Sequence, residues 1–198
     1  MDISVSDIKC RNCGASADIG QTRCEFCDSF VVISTFRSVY SMPAPILNKY
    51  AAEYRNALGI EPNAGDLNRS IAMCYLKLKL YDKASAAFEK AIENNFDNPE
   101  SFFYAAIALL GGKKAFLAGR RIIDKALEYI SAAIAIEPCG IYYYFLAYIK
   151  YDFFERKYLN TTPTYREALQ NAKDAGLSPA DVCQLHEILG VTQPEVLL

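Results

Sequence analysis

Four of the seven cysteines in this 198-residue chain lie close together: Cys10, Cys13, Cys24 and Cys27. They form two Cys-x2-Cys pairs separated by ten residues. Two residues between cysteines allow a tight turn to aim both sulfurs at one point, and four thiolates complete the tetrahedron that Zn²⁺ accepts. The spacing therefore predicts one zinc ion. Because four cysteines close the coordination shell and leave no place for water, we expect the zinc to be structural.

The residues around the two pairs favour turns and a short strand. Gly14 follows the first pair and Asp28 the second, and both residue types are common in turns. Residues 30–36 are mostly β-branched or aromatic, which is typical of a strand. The segment resembles a zinc ribbon over roughly residues 5–37, with Cys10-Arg11-Asn12-Cys13-Gly14 and Cys24-Glu25-Phe26-Cys27 as its two knuckles.

Other interpretations of the four cysteines stay open, namely two redox pairs or four unrelated thiols. A thioredoxin-like redox pair would need a βαβ context, which the surrounding sequence lacks. Residues 1–40 carry four basic and five acidic side chains, and four thiolates with one Zn²⁺ add a charge of about −2. A negatively charged module binds phosphate poorly. Nucleic-acid binding through the ribbon is therefore only the alternative function.

The chain changes character near residues 38–43. The composition, with 52% hydrophobic and 22% charged residues, is that of a globular protein. Two prolines, Pro43 and Pro45, disfavour helix before them and can open a helix at its first turn. Beyond them the sequence reads as helical, which predicts a zinc ribbon at residues 1–40 and a helical domain at residues 43–198.

Residues 66–98 carry small and large apolar residues at helical spacing. The small residues in this pattern are Ala72, Ala84 and Ala91, and the large ones are Ile71, Tyr75 and Phe88. This stretch resembles a tetratricopeptide repeat, and residues 43–190 resemble it with less fidelity. The resemblance implies a mainly α fold, a helical solenoid of about three helix pairs plus flanking helices, closed by a capping helix at Pro179–Leu189. An irregular helical bundle with one repeat-like hairpin is the alternative.

Tetratricopeptide arrays are usually scaffolds that bind peptides or proteins on a concave face lined by the first helix of each pair. The resemblance therefore implies a non-enzymatic adaptor, or a subunit of a larger assembly, whose partner is a peptide or helix of another protein. When the chain is aligned with such repeats, the concave face is apolar and rich in tyrosine. The residues placed on it are Arg69, Met73, Phe103, Ile107, Tyr144, Tyr148 and Tyr151. The alternative is that these aromatic residues belong to the core.

A basic insertion provides a second candidate surface. It follows Gly111-Gly112 and contains Lys113, Lys114, Arg120 and Arg121. Such a cluster could meet an acidic partner. It could equally be the solvated N-terminus of a helix.

Several function classes are disfavoured by the composition. The net charge of −2 argues against general nucleic-acid or membrane-surface binding. His186 is the single histidine, which excludes a multi-histidine metal site, and we expect it at the surface. No motif places a nucleophile or a phosphate loop, so we expect no enzyme activity. The N-terminus lacks a basic region followed by an apolar stretch, which predicts a cytoplasmic protein. The longest apolar runs, residues 102–110 and 141–149, are too short to cross a bilayer, so we expect no membrane span.

Overall fold

The computed structural model describes residues 8–197. Residues 1–7, the first part of the predicted ribbon domain, and residue 198 lie outside the described residues. Within residues 8–197 the chain is mainly helical, with nine α-helices and a small two-stranded antiparallel sheet. This confirms the predicted mainly α class with a small β element at the N-terminal end.

The chain divides into two compact units, Met1–Phe96 and Asp97–Leu198. The first contains β1 (Ile8–Cys10), β2 (Val31–Ile33), α1 (Phe36–Tyr40), α2 (Ala44–Ile60), α3 (Gly65–Lys77) and α4 (Tyr81–Asn94). The second contains α5 (Pro99–Leu109), α6 (Arg120–Ile136), α7 (Gly140–Ile149), α8 (Tyr165–Asp174) and α9 (Pro179–Leu189). The predicted division into residues 1–40 and 43–198 stays a prediction.

The core of the first unit forms where α2, α3 and α4 pack on each other. Helix α2 begins directly after Pro43 and has Pro45 in its first turn, where a missing amide proton costs nothing. Helix α3 packs along both α2 and α4. The small residues Ala72 and Ala84 are completely buried, as is Phe88, so their predicted places in a helical hairpin agree with the structure.

The second unit consists of the helix pairs α5–α6 and α7–α8, with α9 packed against α5 and α7. Side chains define where several of these helices begin. Ser178 accepts a hydrogen bond from the amide of Ala180 and Pro179 opens α9, as the sequence predicts. Thr164 and Glu167 form a reciprocal capping box at the start of α8. The solenoid arrangement itself stays a prediction.

Gly140 allows α7 to begin in close contact with the segment after α8. A β-carbon at this position would lie 2.6 Å from the backbone nitrogen of Leu177 and 2.7 Å from its α-carbon. Backbone atoms cannot move aside as the end of a flexible side chain can. The contact therefore requires glycine, although this residue has no unusual backbone angle.

The helical run that begins with α7 changes its winding part-way along. Helix α7 continues into a π-helical segment, Lys150–Phe154, and then a 3₁₀ turn, Glu155–Lys157. The run ends at Tyr158, which has a left-handed backbone conformation with φ of 55°. The segment between α5 and α6 contains a 3₁₀ turn, Ala115–Leu117, whose first residue is buried.

Candidate metal centre

The four cysteines meet at one point. The Sγ atoms of Cys10, Cys13, Cys24 and Cys27 all lie within 4.8 Å of one another. The sulfurs of Cys10 and Cys27 are 3.4 Å apart and those of Cys13 and Cys24 are 3.6 Å apart. A tetrahedron with metal–sulfur bonds of about 2.3 Å has edges of about 3.8 Å, so these distances suit four-sulfur coordination of one ion.

The two Cys-x2-Cys turns have the same backbone hydrogen bonds. The amide of Gly14 donates to the carbonyl of Cys10 and the amide of Asp28 donates to the carbonyl of Cys24, each at 3.0 Å. The cysteine amides in turn donate to the carbonyls of the residues five positions later, at 2.8 and 2.9 Å. Gly14 and Asp28 both have positive φ, at 73° and 56°. The motif therefore folds as two equivalent knuckles.

Backbone amides in the knuckles stabilise thiolates. The amides of Cys13 and Asn12 donate to the sulfur of Cys10, at 3.5 and 3.4 Å, and lower the pKa of that thiol. The amide and the hydroxyl of Ser29 lower the pKa of Cys27 to about 6. The amide of Ala15 lowers the pKa of Cys13, but the neighbouring thiols have the opposite effect and together raise that pKa to about 12. Four sulfurs so close together favour a cation that allows all of them to ionise.

The sheet beside the knuckles is hydrogen-bonded to two helices of the first unit. The Oγ of Ser70 on α3 accepts from the amide of Ile33 at 3.1 Å, inside the core. The hydroxyl of Tyr54 on α2 donates to the carbonyl of Val31 at 2.9 Å. Burial raises the pKa of Tyr54 well above its ordinary value, so the phenol remains a donor. Strand β2 is thus fixed to both helices.

The loop between the knuckles contacts the same helices. The amide of Gly20 donates to the hydroxyl of Tyr50 at 3.0 Å, and its carbonyl accepts from Nζ of Lys49 at 2.8 Å. Arg11 in the first knuckle pairs with Glu61 at 2.9 Å and with Asp66 at 3.0 Å. The cysteine-containing segment is therefore packed on α2 and α3 rather than connected to them only by the chain.

The donor set limits what the site can hold and do. Four thiolates in a small tetrahedral arrangement suit a soft or borderline cation and leave no open position for a substrate or a water molecule. Each of the two short sulfur–sulfur contacts, Cys10–Cys27 and Cys13–Cys24, joins one knuckle to the other. All seven cysteines are free thiols. The geometry is compatible with a metal ion and does not identify the metal.

Most residues predicted on a concave partner face are inside the protein. Met73, Phe103, Ile107, Tyr144 and Tyr148 are each no more than 3% exposed. The ring of Phe103 packs against those of Tyr142 and Phe145, with centroids 4.7 and 5.7 Å apart. A buried side chain presents no surface to a partner, so these five residues do not form the expected exposed groove. The burial of Phe103, Tyr144 and Tyr148 agrees with the alternative interpretation, in which the aromatic residues of this face belong to the core.

Two members of the predicted face lie elsewhere. Arg69 is half-buried, and its Nε atom is buried without a hydrogen-bond partner in the described part of the chain. Tyr151 is half-buried in the π-helical segment and contacts Tyr165 edge to face, with centroids 5.3 Å apart.

His186 is not the surface residue expected from the sequence. It is 7% exposed, and its Nε2 lies 3.0 Å from the hydroxyl of Tyr144. Burial lowers the pKa of His186 and raises that of Tyr144 to about 12. The expectation failed because a lone polar residue on an amphipathic helix gives no sign of a buried partner from another helix.

The basic insertion is at the surface. Lys113, Lys114, Arg120 and Arg121 are all exposed. Arg120 pairs with Asp124 one turn later, with nitrogen–oxygen distances of 2.8 and 3.0 Å. An acidic partner for this surface stays a prediction.

Sequence analysis missed the residues that attach the knuckles to the helices. Ser70, Tyr54 and Arg11 resemble ordinary surface or core residues in the sequence, and their partners are 23 to 55 positions away. Ser70 gives one weak clue, since a serine within a run of buried apolar residues needs a hydrogen-bond partner. The sequence does not indicate where that partner lies.

No protein-family model matches this chain, and no match is found among curated proteins. The resemblances to a zinc ribbon and to tetratricopeptide repeats therefore rest on the residues alone. None of the helices in residues 8–197 is both long enough and apolar enough to cross a bilayer.

Proposed function

We propose that this protein is a non-enzymatic protein-binding module, an adaptor or a subunit of a larger assembly, with one structural zinc ion. The observation that carries the proposal is the closed four-cysteine site. Its knuckles are hydrogen-bonded to α2 and α3, so a bound ion would stabilise the first helical unit as well as the small sheet. A site of this kind supports folding and recognition instead of chemistry.

The exposed side chain of Phe26 supports a role in binding. Phe26 lies at the tip of the second knuckle and is 80% exposed. The equivalent position of the first knuckle is Asn12. A large aromatic side chain held in water by a rigid turn has little entropy to lose when a partner covers it. We therefore assign partner contact to Phe26, since the buried aromatic residues of α5 and α7 offer no surface.

The alternative, nucleic-acid binding through the ribbon, receives no support from the geometry. Arg11 is paired with two carboxylates. Arg23 lies over the ring of Phe30 at 3.7 Å and donates to the carbonyl of Asp28. Cations held by protein groups in this way contribute little to phosphate binding.

Metal content and cobalt substitution test the structural role of the centre. We expect one zinc ion per chain, and a Co²⁺ form with the absorption of tetrahedral thiolate coordination. Adding azide should leave that spectrum unchanged because the coordination shell is closed. A spectrum that changes with azide would show an open position and would contradict a purely structural site.

Partner binding is tested with a knuckle-matched variant. Phe26→Asn gives the second knuckle the residue found in the first, so the fold and the zinc content should be retained. We expect the variant not to capture the proteins that the wild type captures. A purified partner should bind the variant more than tenfold more weakly, because removing a binding hot spot costs about 2 kcal/mol. Phe96→Asn, at another exposed phenylalanine, is the control. Equal binding by Phe26→Asn and wild type would refute the assignment.

A further inference from the structure

The second unit contains a cavity of about 350 Å³ beside the π-helical segment. Seven of its eight lining residues have a polar or charged group in the side chain. The lining residues are Lys114, Tyr148, Tyr151, Asp152, Arg156, Thr192, Gln193 and Pro194. The cavity brings together three residues that the sequence separated into two candidate surfaces, namely Lys114, Tyr148 and Tyr151.

The insertion between α5 and α6 forms one wall and is fixed by two backbone hydrogen bonds. The amide of Ala115 donates to the hydroxyl of Tyr148 at 3.3 Å. The amide of Phe116 donates to the carboxylate of Asp152 at 2.8 Å. Lys114 directly precedes these two anchored residues, so its backbone is held at the edge of the cavity.

The π-helical segment lines the part of the cavity next to the insertion. Tyr151 and Asp152 belong to the segment Lys150–Phe154, and Tyr148 and Arg156 lie just before and after it. A π turn contains more residues than an α turn and shifts the side chains that follow it around the helix axis. Such turns are frequent at functional sites.

The charges inside the cavity leave one cation available to a ligand. Asp152 is 3% exposed, and its carboxylate accepts from the Phe116 amide and pairs with Arg156. The charges of Asp152 and Arg156 therefore offset each other. Lys114 is exposed and forms no ion pair within residues 8–197. A bound group would meet a net charge of about +1 together with the hydroxyls of Tyr151 and Thr192.

We propose that this cavity binds the carboxylate of a small organic acid. Lys114 pairs with the carboxylate, and the ring faces of Tyr151 and Pro194 cover the apolar body of the ligand. A cationic ligand is disfavoured by Lys114 and Arg156. A dianionic phosphate ester is disfavoured because the net charge of about +1 in the cavity would compensate only one of its two negative charges. This site is independent of the metal centre and of the partner contact at Phe26.

The test is an amide NMR titration of the full-length zinc-bound protein with benzoate as the probe. We expect shifts confined to residues 114–116, 148–156 and 192–193, with millimolar affinity. Benzamide, which has the same shape without the charge, should bind at least about tenfold more weakly, since a hydrogen bond to a charged group contributes about 1.5–3 kcal/mol.

Two neighbouring lysines provide a matched pair of variants. Lys114→Ala should weaken benzoate binding at least about tenfold, whereas Lys113→Ala, at an exposed residue that does not line the cavity, should not. Thr192→Val, in the segment after α9, should weaken binding without touching the insertion. Shifts outside these residues, equal binding by Lys114→Ala, no binding at tens of millimolar benzoate, or tighter binding of phenyl phosphate would each overturn the proposal.

Discussion

At the residue scale, the two knuckles differ in how well their sequences suit the same backbone conformation. The equivalent positions Gly14 and Asp28 both have positive φ. Glycine adopts this conformation without strain, whereas a residue with a β-carbon does so at a cost of about 1 kcal/mol, less for aspartate and asparagine. The second knuckle therefore tolerates strain that the first avoids.

This difference predicts opposite effects of two substitutions. We expect Gly14→Ala to lower the free energy of unfolding of the zinc-bound protein by about 1 kcal/mol, because alanine must adopt positive φ there. Asp28→Gly should leave it unchanged or raise it slightly. Urea denaturation at a fixed zinc concentration measures both. A larger loss for Asp28→Gly than for Gly14→Ala would show that the knuckles are not equivalent.

His186 predicts how stability depends on pH. Burial lowers its folded-state pKa below the ordinary value of 6.5. Between these two pKa values the unfolded chain binds more protons than the folded one, so the free energy of unfolding falls as the pH drops below about 6.5. The contribution is fully present at neutral pH and levels off below the folded pKa.

Denaturation of the wild type and of His186→Gln between pH 7 and pH 5 isolates this effect, since the chain has one histidine. We expect the variant to be less stable throughout but to lose less stability as the pH falls. Parallel curves for the two proteins would mean that His186 is not buried in its neutral form.

At the element scale, Ser70 connects β2 with α3. Its hydroxyl accepts from the amide of Ile33 at 3.1 Å and donates its one proton to the carbonyl of Asp66 at 2.8 Å, with the carbonyl of Ile33 as a more distant second acceptor at 3.3 Å. A two-stranded sheet has two edges and is marginal alone. The hydroxyl of Ser70 therefore provides one residue of β2 with the hydrogen-bond partner that a third strand would provide.

We expect Ser70→Ala to lower the free energy of unfolding by about 1–3 kcal/mol, because it leaves the Ile33 amide buried without an acceptor. Ser85→Ala on α4 is the matched control, since it makes the same change in helix propensity at a half-buried position. Chemical denaturation followed by circular dichroism measures both. Equal losses for the two variants would show that the Ser70 bridge is not needed.

At the scale of the whole molecule, the contacts of the cysteine segment predict where metal removal acts. Ser70, Tyr54 and Arg11 connect it to α2 and α3, all within the first unit. We expect chelation to reduce hydrogen-exchange protection in β2, α2 and α3 while α7 and α8 keep theirs. Exchange measured by mass spectrometry with and without chelator checks this. Unchanged protection in α2 and α3 would mean that the knuckles fold and unfold independently.

Short-range features of the fold could be predicted with the sequence alone. Cys10, Cys13, Cys24 and Cys27 come together because two tight turns determine the geometry of each pair. The start of α9 at Ser178-Pro179 and the hairpin of α3 and α4 follow from capping and from the spacing of small residues. Each turn and cap depends on neighbours within about one or two helical turns, and the segments that then meet are adjacent in the chain.

The placement of Met73, Tyr144 and Tyr148 could not be predicted, because it depends on elements distant in the chain. Helical spacing shows which residues share a face. It does not show whether another element covers that face. His186 illustrates the same limit, since its partner Tyr144 lies 42 positions earlier.

The sequence by itself determined the four-cysteine cluster, the mainly helical class and several helix starts, since local turn geometry and side-chain spacing decide these. Only the tertiary structure decided that the knuckles are attached to α2 and α3, that Phe103, Tyr144 and Tyr148 belong to the core, and that Lys114 and Tyr151 share a cavity. Those outcomes follow from contacts between residues far apart in the chain, and burial and hydrogen bonding between such residues exist only once the helices have packed.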